Sequence, residues 1–560
     1  MGLNTMVKDN ELIIGLILEK TTINKYIIDL IQWAREEEGI NIAYYLIQSN
    51  DFISKDVKDA RIKRIIKDGV IKTIQNRIKR WILKIEKKRN LENSTKHNDH
   101  SVTKNIDEYG IKRINYEAIY SKTGVSVRFS EESIEEIKNL DIDVFLRFNK
   151  RIIRGEILNL AKYGILSMHH GSDLTNRGGP SGFWEVYDEE PNSGFIIQQL
   201  TKNLDNGNII FRGFIPTQKS WSLNRAELNL RALGYLKMII LNLLKNEKLP
   251  DFIDSFPFTG RLNTNPSLKE MGIYLTKRLR HRIKDKEYNN AENRYKVGFQ
   301  KVDWGKLEYR KAKFIKNPDN YFLADPFVYF FKGENYCFVE AFNYLERKAH
   351  ISVYKLTENT YEYLGIVLEE DFHLSFPYLF EFEGEIYMIP ESTSNKDIRL
   401  YKSYKFPFDW RLEEVLIDNI DAADSMMLHH NERWWLFTNV DPLMKGNHNF
   451  QLEIFHSTSL NNGDWIPHRE NPIFLNPTFA RNGGFLFNGS NIYRVAQKFD
   501  FYMKYGRGLS IRKIQHLDEY SYIETEEVAY TDYYSDNILG SHHMHSNSIY
   551  TVFDIWSTNK

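Results

Sequence analysis

The sequence is poor in the features that mark several large classes of protein. Its 560 residues include one cysteine, Cys337, which excludes an internal disulfide framework and cysteine-rich metal sites. Basic and acidic residues both number 75, so the net charge indicates no polyanionic partner such as nucleic acid. No apolar run reaches the roughly 18 residues of a spanning helix, and the first residues lack the basic start and cleavage site of a secretion signal. We therefore predict a cytoplasmic protein that binds no nucleic acid.

The first half of the chain has the strand and helix order of an α/β protein. The continuous apolar run at 12–18 suits a buried parallel strand, a helical pattern follows at 23–35, and a second strand is predicted at 42–47. Further strands are predicted at 143–148 and 163–170, with a helix at "GEILNLA" between them, and a long helix at 225–250. This order predicts a doubly wound α/β domain over residues 1–250.

A basic insertion interrupts this domain at residues 53–105. Between Lys55 and Arg89 there are fourteen lysines and arginines against four acidic residues, with apolar residues every three or four positions. The pattern predicts one or two amphipathic helices. One interpretation is a helix packed on its own domain with a solvated basic face. The other is a helix on an anionic membrane surface, which would make the protein peripheral at the inner face of the membrane.

The second half repeats a short aromatic unit five times. Each unit is an apolar strand, a turn with Gly, Asn or Ser, and a second apolar strand, and the turns are 51, 47, 58 and 57 residues apart. One four-stranded propeller blade has about this length. We therefore predict a five-bladed β-propeller over residues 301–560. The charged stretch "KRLRHRIKDKEYNNAENRYK" indicates a linker, which we place at 251–300.

A motif rich in histidine and glycine follows the strand predicted at 163–170. Residues 166–185 read "LSMHHGSDLTNRGGPSGFWE", and residues 192–213 read "NSGFIIQQLTKNLDNGNIIFRG". The first motif begins at the carboxyl end of its strand, where open α/β sheets bind ligands. Its histidines can change charge near neutral pH, and its glycines let the backbone approach a ligand closely.

These motifs, in this order, resemble the formyltransferase family that uses 10-formyltetrahydrofolate, over roughly residues 10–220. The resemblance implies that His170 removes the proton of the amine acceptor and that Asp205 orients its imidazole. It also implies 10-formyltetrahydrofolate as the cofactor. The residues expected to bind substrate or cofactor are His169, Gly171, Ser172, Arg177, Glu185 and Gly207.

One position departs from the family pattern. Two residues before the histidine the family has an asparagine that helps to bind the formyl oxygen, and this chain has Met168. A thioether is no useful hydrogen-bond donor. An alternative interpretation is therefore a formyltransferase fold that has lost formyl transfer.

Polar residues also stand at strand ends in the predicted propeller. "ADPF", "HLSFPYLF", "YMIPES" and "FPFDW" resemble the propeller domain of the glucosamine inositolphosphorylceramide transferase family and, more distantly, five-bladed glycoside hydrolases of the arabinanase type. The resemblance implies a central channel that holds sugars. The candidates to line it are Asp325, Glu340, His373, Glu391, Asp424, Arg481, Arg494 and Gln497. Three interpretations stay open: these residues satisfy backbone groups near the axis, bind a glycan, or cleave a glycosidic bond.

Together the two halves predict an enzyme of surface-glycan biosynthesis. The main interpretation is a transferase that moves a formyl group from 10-formyltetrahydrofolate to an amino sugar, with a sugar nucleotide or glycan as substrate and no metal. The alternative is a carbohydrate-active propeller, acting in glycosyl transfer, glycoside hydrolysis or glycan binding. The sequence predicts no oligomeric state.

Overall fold

The protein consists of two compact units. The computed structural model describes residues 11–49, 75, 77–91, 102–122, 124–171, 177–202, 207–254, 262–288, 293–501, 504–529 and 538–558. One unit comprises residues 1–213 and 217–279, and the other comprises residues 214–216 and 280–560. Within the described ranges, no helix combines the length and the apolar character needed to cross a bilayer.

The first unit contains a seven-stranded sheet in the order β7-β6-β5-β4-β1-β2-β3. Its strands are β1 Leu12–Leu18, β2 Ile40–Gln48, β3 Lys112–Tyr116, β4 Val144–Arg147, β5 Ile165–His169, β6 Asn192–Gln199 and β7 Asn208–Pro216. Strands β1 to β5 pair in parallel, whereas β5 and β6 pair antiparallel. The helices are α1 Lys25–Glu36, α2 Glu131–Lys138, α3 Phe183–Asp188, α4 Trp221–Asn246 and α5 Leu268–Tyr288.

The apolar runs of the sequence become the centre of this sheet. Ile17 of β1, Phe145 of β4 and Ile165 of β5 are fully buried in one cluster with residues of the flanking elements. Gly15 lies within β1, at a point where the ring of Phe145 occupies the space that a side chain would need. The Cδ1 atom of Phe145 is only 2.8 Å from where a Cβ of residue 15 would lie. The strands predicted at 12–18, 42–47, 143–148 and 163–170 are confirmed to within two residues at each end.

One prediction about local structure needs correction. The helix predicted at "GEILNLA" is one 3-10 turn, Glu156–Asn159, and the same connection also forms a short strand, Ile152–Ile153, that pairs with Ser126–Phe129. The range 251–300, predicted as a linker, contains the boundary between the two units at 279/280 and holds α5 and the strand Asn293–Gln300.

The second unit is made of five antiparallel sheets. In chain order the strands are β8 Asn293–Gln300, β9 Tyr321–Phe331, β10 Glu334–Asn343, β11 Lys348–Leu356, β12 Tyr361–Leu368, β13 Ser375–Phe382, β14 Glu385–Glu391, β15 Asp397–Lys405, β16 Phe408–Asp418, β17 Ala422–His430, β18 Arg433–Val440, β19 Gln451–Ser457, β20 Ile466–Pro467, β21 Asn482–Asn488, β22 Asn491–Asp500, β23 Lys504–Leu517, β24 Tyr522–Ala529, β25 Met544–Ser546 and β26 Thr551–Thr558. Four sheets follow the chain, as β9 to β12, β13 to β16, β17 to β20 and β21 to β24.

The fifth sheet joins the two ends of the unit. Strand β8, the first of the unit, pairs with β26, the last, along the full length of both strands, from Asn293 opposite Thr558 to Gln300 opposite Thr551. Strand β25 pairs with the other edge of β26. The first strands of neighbouring sheets lie against one another in the succession β9, β13, β17, β21, β25, and β25 also lies against β9. The core between the sheets is aromatic and aliphatic.

Candidate functional sites

The motif "HHGS" lies where the sequence places it, at the carboxyl end of a central strand of the first unit. Strand β5 ends at His169, whose side chain is exposed, and His170 follows it. The His170 Nε2 atom is buried and has no hydrogen-bond partner among the described residues. Burial, together with the positive charges of Arg225 and His169, lowers the pKa of His170 to about 3. Its imidazole is therefore neutral at neutral pH.

Two glycines of this region stand where a side chain would collide. Gly178 has φ +111°, and a Cβ there would lie 1.8 Å from the carbonyl oxygen of Asn263, on the strand that pairs with it. A Cβ on Gly207 would lie 2.7 Å from the side-chain oxygen of Gln198. Gly171 is buried, and Met168 is half-buried in β5. Asp205, Ser172 and the side chain of Arg177 lie outside the described residues.

Glu185 is a buried acid in α3, 3% exposed. Burial raises its pKa to about 7, and the nearby carboxylates of Asp188 and Glu190 add to the effect. No hydrogen bond joins Glu185 to His170 in the part of the chain that is described. The structure thus gives the first unit two buried titratable groups, each with a strongly shifted pKa, at separate positions.

The second unit repeats one unusual backbone feature in four of its sheets. In β9, β13 and β17 the pairing register shifts at Asp325, Phe376 and Asp424, which have φ values of +47°, +46° and +49°. Positive φ is strained for residues with a Cβ. The same shift in β21 falls on Gly483 and Gly484. The feature recurs in four sheets. In each of them it interrupts the regular pleat of the first strand at the same position.

Carboxylates bind the backbone at these shifts. One oxygen of Asp554 accepts from the backbone N–H of Asp325 at 3.2 Å, and the other accepts from the N–H of His542 at 2.9 Å. Glu391 likewise accepts from the N–H of Asp424 at 3.3 Å. The backbone N–H of Asp325 and that of Asp424 are thus each bound by a carboxylate from another sheet.

Side chains join these acids into one cluster. His542 reaches Asp554 at 2.6 Å through Nδ1 and Asp325 at 3.4 Å through Nε2. On the other side, the Nε of Arg481 lies 2.7 Å from Asp424, and the amide of Gln497 donates to Asp424 at 3.1 Å. We call this set, completed by Glu340 and Glu391, the axial cluster.

The axial cluster contains more acidic side chains than cationic ones, and this excess helps to raise the pKa values of its glutamates. Burial, reinforced by Asp325, Glu391 and Asp554, raises the pKa of Glu340 well above its usual range. Burial and the charge of Asp424 raise the pKa of Glu391 to about 8 although Arg481 opposes them. Both carboxyls are therefore protonated at neutral pH.

The opposite ends of the cluster titrate differently. Burial raises the pKa of Asp325 to about 7, with Asp554 and Asp424 adding to the rise and His542 opposing it. Burial lowers the pKa of His542, but the charges of Asp554 and Asp325 outweigh it and raise the value to about 9. Protonated acids and ionised partners thus lie together, which is the arrangement that general acid–base chemistry needs.

One part of the cluster has the donor atoms of a metal site. Asp325, His542 and Asp554 each offer a ligand atom, and these atoms lie within 4.8 Å of one another. The same geometry is that of an imidazolium between two carboxylates, which the raised pKa of His542 describes. The positive charge of the His542 imidazolium therefore balances negative charge on the two aspartates.

Most of the predicted channel residues join the axial cluster, and one does not. His373 lies beside it, with Nε2 3.5 Å from Glu340. Arg494 is elsewhere: its guanidinium forms two bonds to the buried carboxylate of Glu524, at 2.7 and 2.8 Å, and one to the carbonyl of Phe479. Arg494 is the fourth residue of the ten-residue strand β22, and its bonds to Glu524 and Phe479 keep its guanidinium out of the cluster.

The sequence reasoning missed the last members of the cluster, His542 and Asp554. Their strands were recognised as the fifth repeat, but their polar residues were not assigned a role. The available signal was a charged residue within an apolar strand, "TVFDIW", which is unusual unless the charge has a buried partner.

The sequence of the second unit has relatives. Residues 310–548 match the family described as "Glucosamine inositolphosphorylceramide transferase 1, N-terminal". A protein of that name from Arabidopsis thaliana is 40% identical over 215 residues, 37% of this chain and 27% of the relative. Its counterpart from Oryza sativa subsp. japonica is 39% identical over 213 residues, 37% of this chain and 28% of the relative. The chain therefore spans less than a third of the length of these relatives.

A second and shorter similarity points to a different enzyme. A GDP-perosamine N-formyltransferase from Brucella melitensis biotype 1 is 31% identical over 118 residues, 20% of this chain and 45% of the relative. Among solved structures, a family 117 glycoside hydrolase from Zobellia galactanivorans covers 47% of this chain and 90% of its own at 10% identity, with a TM-score of 0.32. A glycinamide ribonucleotide transformylase from Symbiobacterium toebii covers 42% and 89% at 12% identity, with a TM-score of 0.27. In sequence, the chain is thus similar to the N-terminal part of one named transferase and, over a shorter stretch, to another.

Proposed function

We propose that the protein is a carbohydrate-active transferase of glycan assembly and that the axial cluster of its second unit binds the sugar. The observation that carries the proposal is the contact of Glu391, which accepts from the backbone N–H of Asp424 at 3.3 Å, beside the Asp424 carboxylate that Arg481 holds at 2.7 Å. Glycoside hydrolases act on sugars with one carboxylic acid that protonates the leaving oxygen and a second carboxylate nearby. The cluster contains both.

The arrangement of the sheets supports a central channel. We propose that the five sheets are the blades of a five-bladed propeller, because their first strands follow one another in a closed succession. In this proposal the register shifts at Asp325, Phe376 and Asp424 aim the same position of each blade at the axis.

Glu391 is the member of the cluster best placed to meet a ligand. Its side chain is half-buried, whereas Asp325 is 6% exposed and Asp424 is 2% exposed. A carboxyl with a pKa of about 8 keeps its proton at neutral pH and can donate it in the transition state. We assign Glu391 as the proton donor, and the half-buried Arg481, which the Asp424 carboxylate holds at 2.7 Å, as the group that binds the polar part of the sugar.

The relatives suggest the class of sugar. One is named for glucosamine and another for GDP-perosamine, and both names denote amino sugars. We therefore propose an amino sugar as the ligand, either linked to a nucleotide or within a glycan.

Calorimetric titration with nucleotide-linked amino sugars tests this proposal, with glucose and the free nucleotides as comparisons. We expect binding that the Asp424→Asn variant weakens. Glu391→Gln should keep the binding and lose transfer. Glu385→Gln is the matched control, since Glu385 lies on the same strand, is exposed and forms only a 3.6 Å ion pair with Lys402. Sugar binding that is unchanged in Asp424→Asn would overturn the assignment of the site.

A second candidate function is formyl transfer in the first unit. One observation favours it: the His170 Nε2 is buried at the carboxyl end of β5 and lacks a partner among the described residues. This position fits the role that the family resemblance implies for His170 toward 10-formyltetrahydrofolate. The pKa of about 3 does not favour that role, because so weak a base takes up a proton poorly at neutral pH. Met168 does not fit, because it supplies no donor for the formyl oxygen.

Binding of a 10-formyltetrahydrofolate analogue distinguishes the candidates. If the first unit transfers formyl groups, the analogue should bind, and His170→Ala should abolish transfer while Lys138→Ala, an exposed variant in α2, keeps it. No binding of the analogue by the full chain, together with binding of an amino-sugar nucleotide, would leave the first unit as a formyltransferase-like fold without that activity.

A further inference from the structure

The basic insertion contains one described helix, residues 77–91, which we call the basic helix. One of its faces is fixed to the first unit. The carboxylate of Glu86 accepts from the backbone N–H of Ser222 at 3.1 Å and from the hydroxyl of Tyr274 at 2.6 Å. Asn90 donates to the hydroxyls of Ser220 and Ser222 at 3.0 and 3.1 Å. The orientation of the helix on its unit is therefore defined.

The opposite face carries exposed apolar side chains. Trp81 is 64% exposed, Ile85 is 45% exposed and Ile78 is 41% exposed. Their spacing of three and four residues puts them in one stripe on the helix surface. An amphipathic helix normally turns such a stripe toward its own core. Here Glu86 and Asn90 contact the unit, Ile82 and Leu83 are half-buried and Leu91 is buried, while the stripe faces outward.

Cations flank the apolar stripe. The helix carries seven lysines and arginines and one acidic residue, Glu86, whose charge is taken up by the contacts to Ser222 and Tyr274. Lys84 and Lys88 are exposed next to the stripe. An outward apolar stripe with tryptophan, bordered by lysine, is the composition that binds the interface of an anionic bilayer.

We propose that the basic helix docks the protein on the surface of a membrane with anionic lipids, with Trp81, Ile78 and Ile85 inserted at the level of the headgroups. Charge complementarity selects this occupant. A second copy of the same face would oppose like charges, and a nucleic acid would leave the two isoleucines against its phosphates. The proposal does not depend on the proposed function.

Vesicle flotation with the full chain tests the proposal. We expect binding to phosphatidylcholine vesicles that contain phosphatidylglycerol, little binding to phosphatidylcholine alone, and a decrease as salt rises because screening weakens the attraction. Loss of one lysine should weaken binding about fivefold, so Lys84→Glu with Lys88→Glu should weaken it by more than tenfold. Trp81→Ser with Ile85→Ser should weaken it roughly tenfold.

Two matched variants control for surface changes in general. Leu345→Ser removes a side chain that is 77% exposed in the second unit, and Lys138→Glu reverses an exposed charge in α2. Both should bind vesicles as the wild type does. Quenching of tryptophan fluorescence by brominated lipid, lost in Trp81→Phe, gives a second readout of insertion.

Three outcomes would overturn the proposal. One is equal binding to neutral and anionic vesicles. Another is wild-type binding by the two double variants. The last is absence of vesicle binding. In that case, a shift of a nucleic-acid duplex in a gel, or a dimer that Trp81→Ser abolishes, would identify the other occupant of the basic helix.

Discussion

The two units each bury a histidine near a candidate site, and the two histidines titrate in opposite directions. The pKa of His170 falls to about 3, because burial and the cations Arg225 and His169 both disfavour its charged form. The pKa of His542 rises to about 9, because Asp554 and Asp325 outweigh the same effect of burial. Burial alone therefore does not set the charge of a histidine. Its immediate partners do, and only the second unit surrounds its histidine with acids.

The difference extends to how each unit uses charge. The first unit combines an apolar core with separate titratable groups, among them His170, Glu185 and the buried pair of Glu227 with Arg231. The second unit gathers acids from different sheets, and most of them must share protons or cations to stay buried. This predicts that substitutions and pH act more strongly on the second unit.

The largest expected effect concerns which unit carries the chemistry. On a substrate that turns over, Glu391→Gln should lower kcat by 10²- to 10⁴-fold, on the order typical of a lost proton donor. His170→Ala should leave that reaction within about twofold. Steady-state kinetics on both variants measures the contrast. A large loss in His170→Ala with little change in Glu391→Gln would reverse the assignment and move the reaction to the first unit.

The next effect compares a buried ion pair in each unit. Arg494→Met should lower the free energy of unfolding of the second unit by about 3–5 kcal/mol, because Glu524 loses its bidentate partner at 0% exposure. Arg231→Met, which breaks the buried 2.8 Å pair with Glu227 on α4, should destabilise the first unit as well. Denaturant unfolding followed by tryptophan fluorescence gives the values.

An exposed pair provides the control for that experiment. Arg411→Met removes an ion pair with Asp409 in which both side chains are exposed, and should change stability by less than about 1 kcal/mol. Equal losses of unfolding free energy in Arg494→Met and Arg411→Met would show that the buried pair stabilises the second unit no more than the exposed pair does.

The pH dependence of stability should also separate the units. Between pH 7 and 9 the folded second unit holds protons that the unfolded chain has lost, because the pKa values of Glu391 and His542 are raised to about 8 and 9. Its stability should therefore fall as pH rises, by up to about 1.4 kcal/mol per pH unit for each group. The contribution of His542 is fully present below pH 6.5 and is lost as pH rises through 9.

The first unit should show little change over the same range. The shifted pKa values of His170 and Glu185, about 3 and about 7, place their linked effects below pH 7. Hydrogen exchange at pH 7 and pH 9 resolves the two units in the intact chain. Equal loss of protection in both would contradict the assignment of the effect to the axial cluster.

The smallest effect concerns a glycine of the first unit. Gly178→Ala should destabilise the region around "NRGGP" by about 1–3 kcal/mol, because its φ of +111° is strained for alanine and the Cβ would meet Asn263 at 1.8 Å. Gly179→Ala is the adjacent control, since no atom lies within 4 Å of its Cβ position. Thermal unfolding of both variants tests the difference, and equal melting temperatures would show that the strand pair at Gly178 is dispensable.

The sequence by itself determined the elements whose signal is local. Strand β1 is an unbroken apolar run, and β5 carries the histidine motif at its carboxyl end, so both could be located from periodicity and motif order. The five repeats and their turns were also visible, and with them most residues of the axial cluster. The helix α5 within the predicted linker could not be located in this way, because a charged helix has the same composition as an irregular connection.

The tertiary structure decided which of these residues meet and what charge they carry. Asp554 reaches Asp325 only because β26 closes against β8 at the other end of the unit, a contact between residues 229 apart in the chain. Arg494 was expected at a strand end but lies within β22, and its side chain bonds to Glu524 rather than to the cluster. The apolar stripe of the basic helix faces outward because Glu86 and Asn90 attach a different face of the helix to the first unit. In each case the result comes from long-range contacts and from desolvation, and neither is encoded in local spacing.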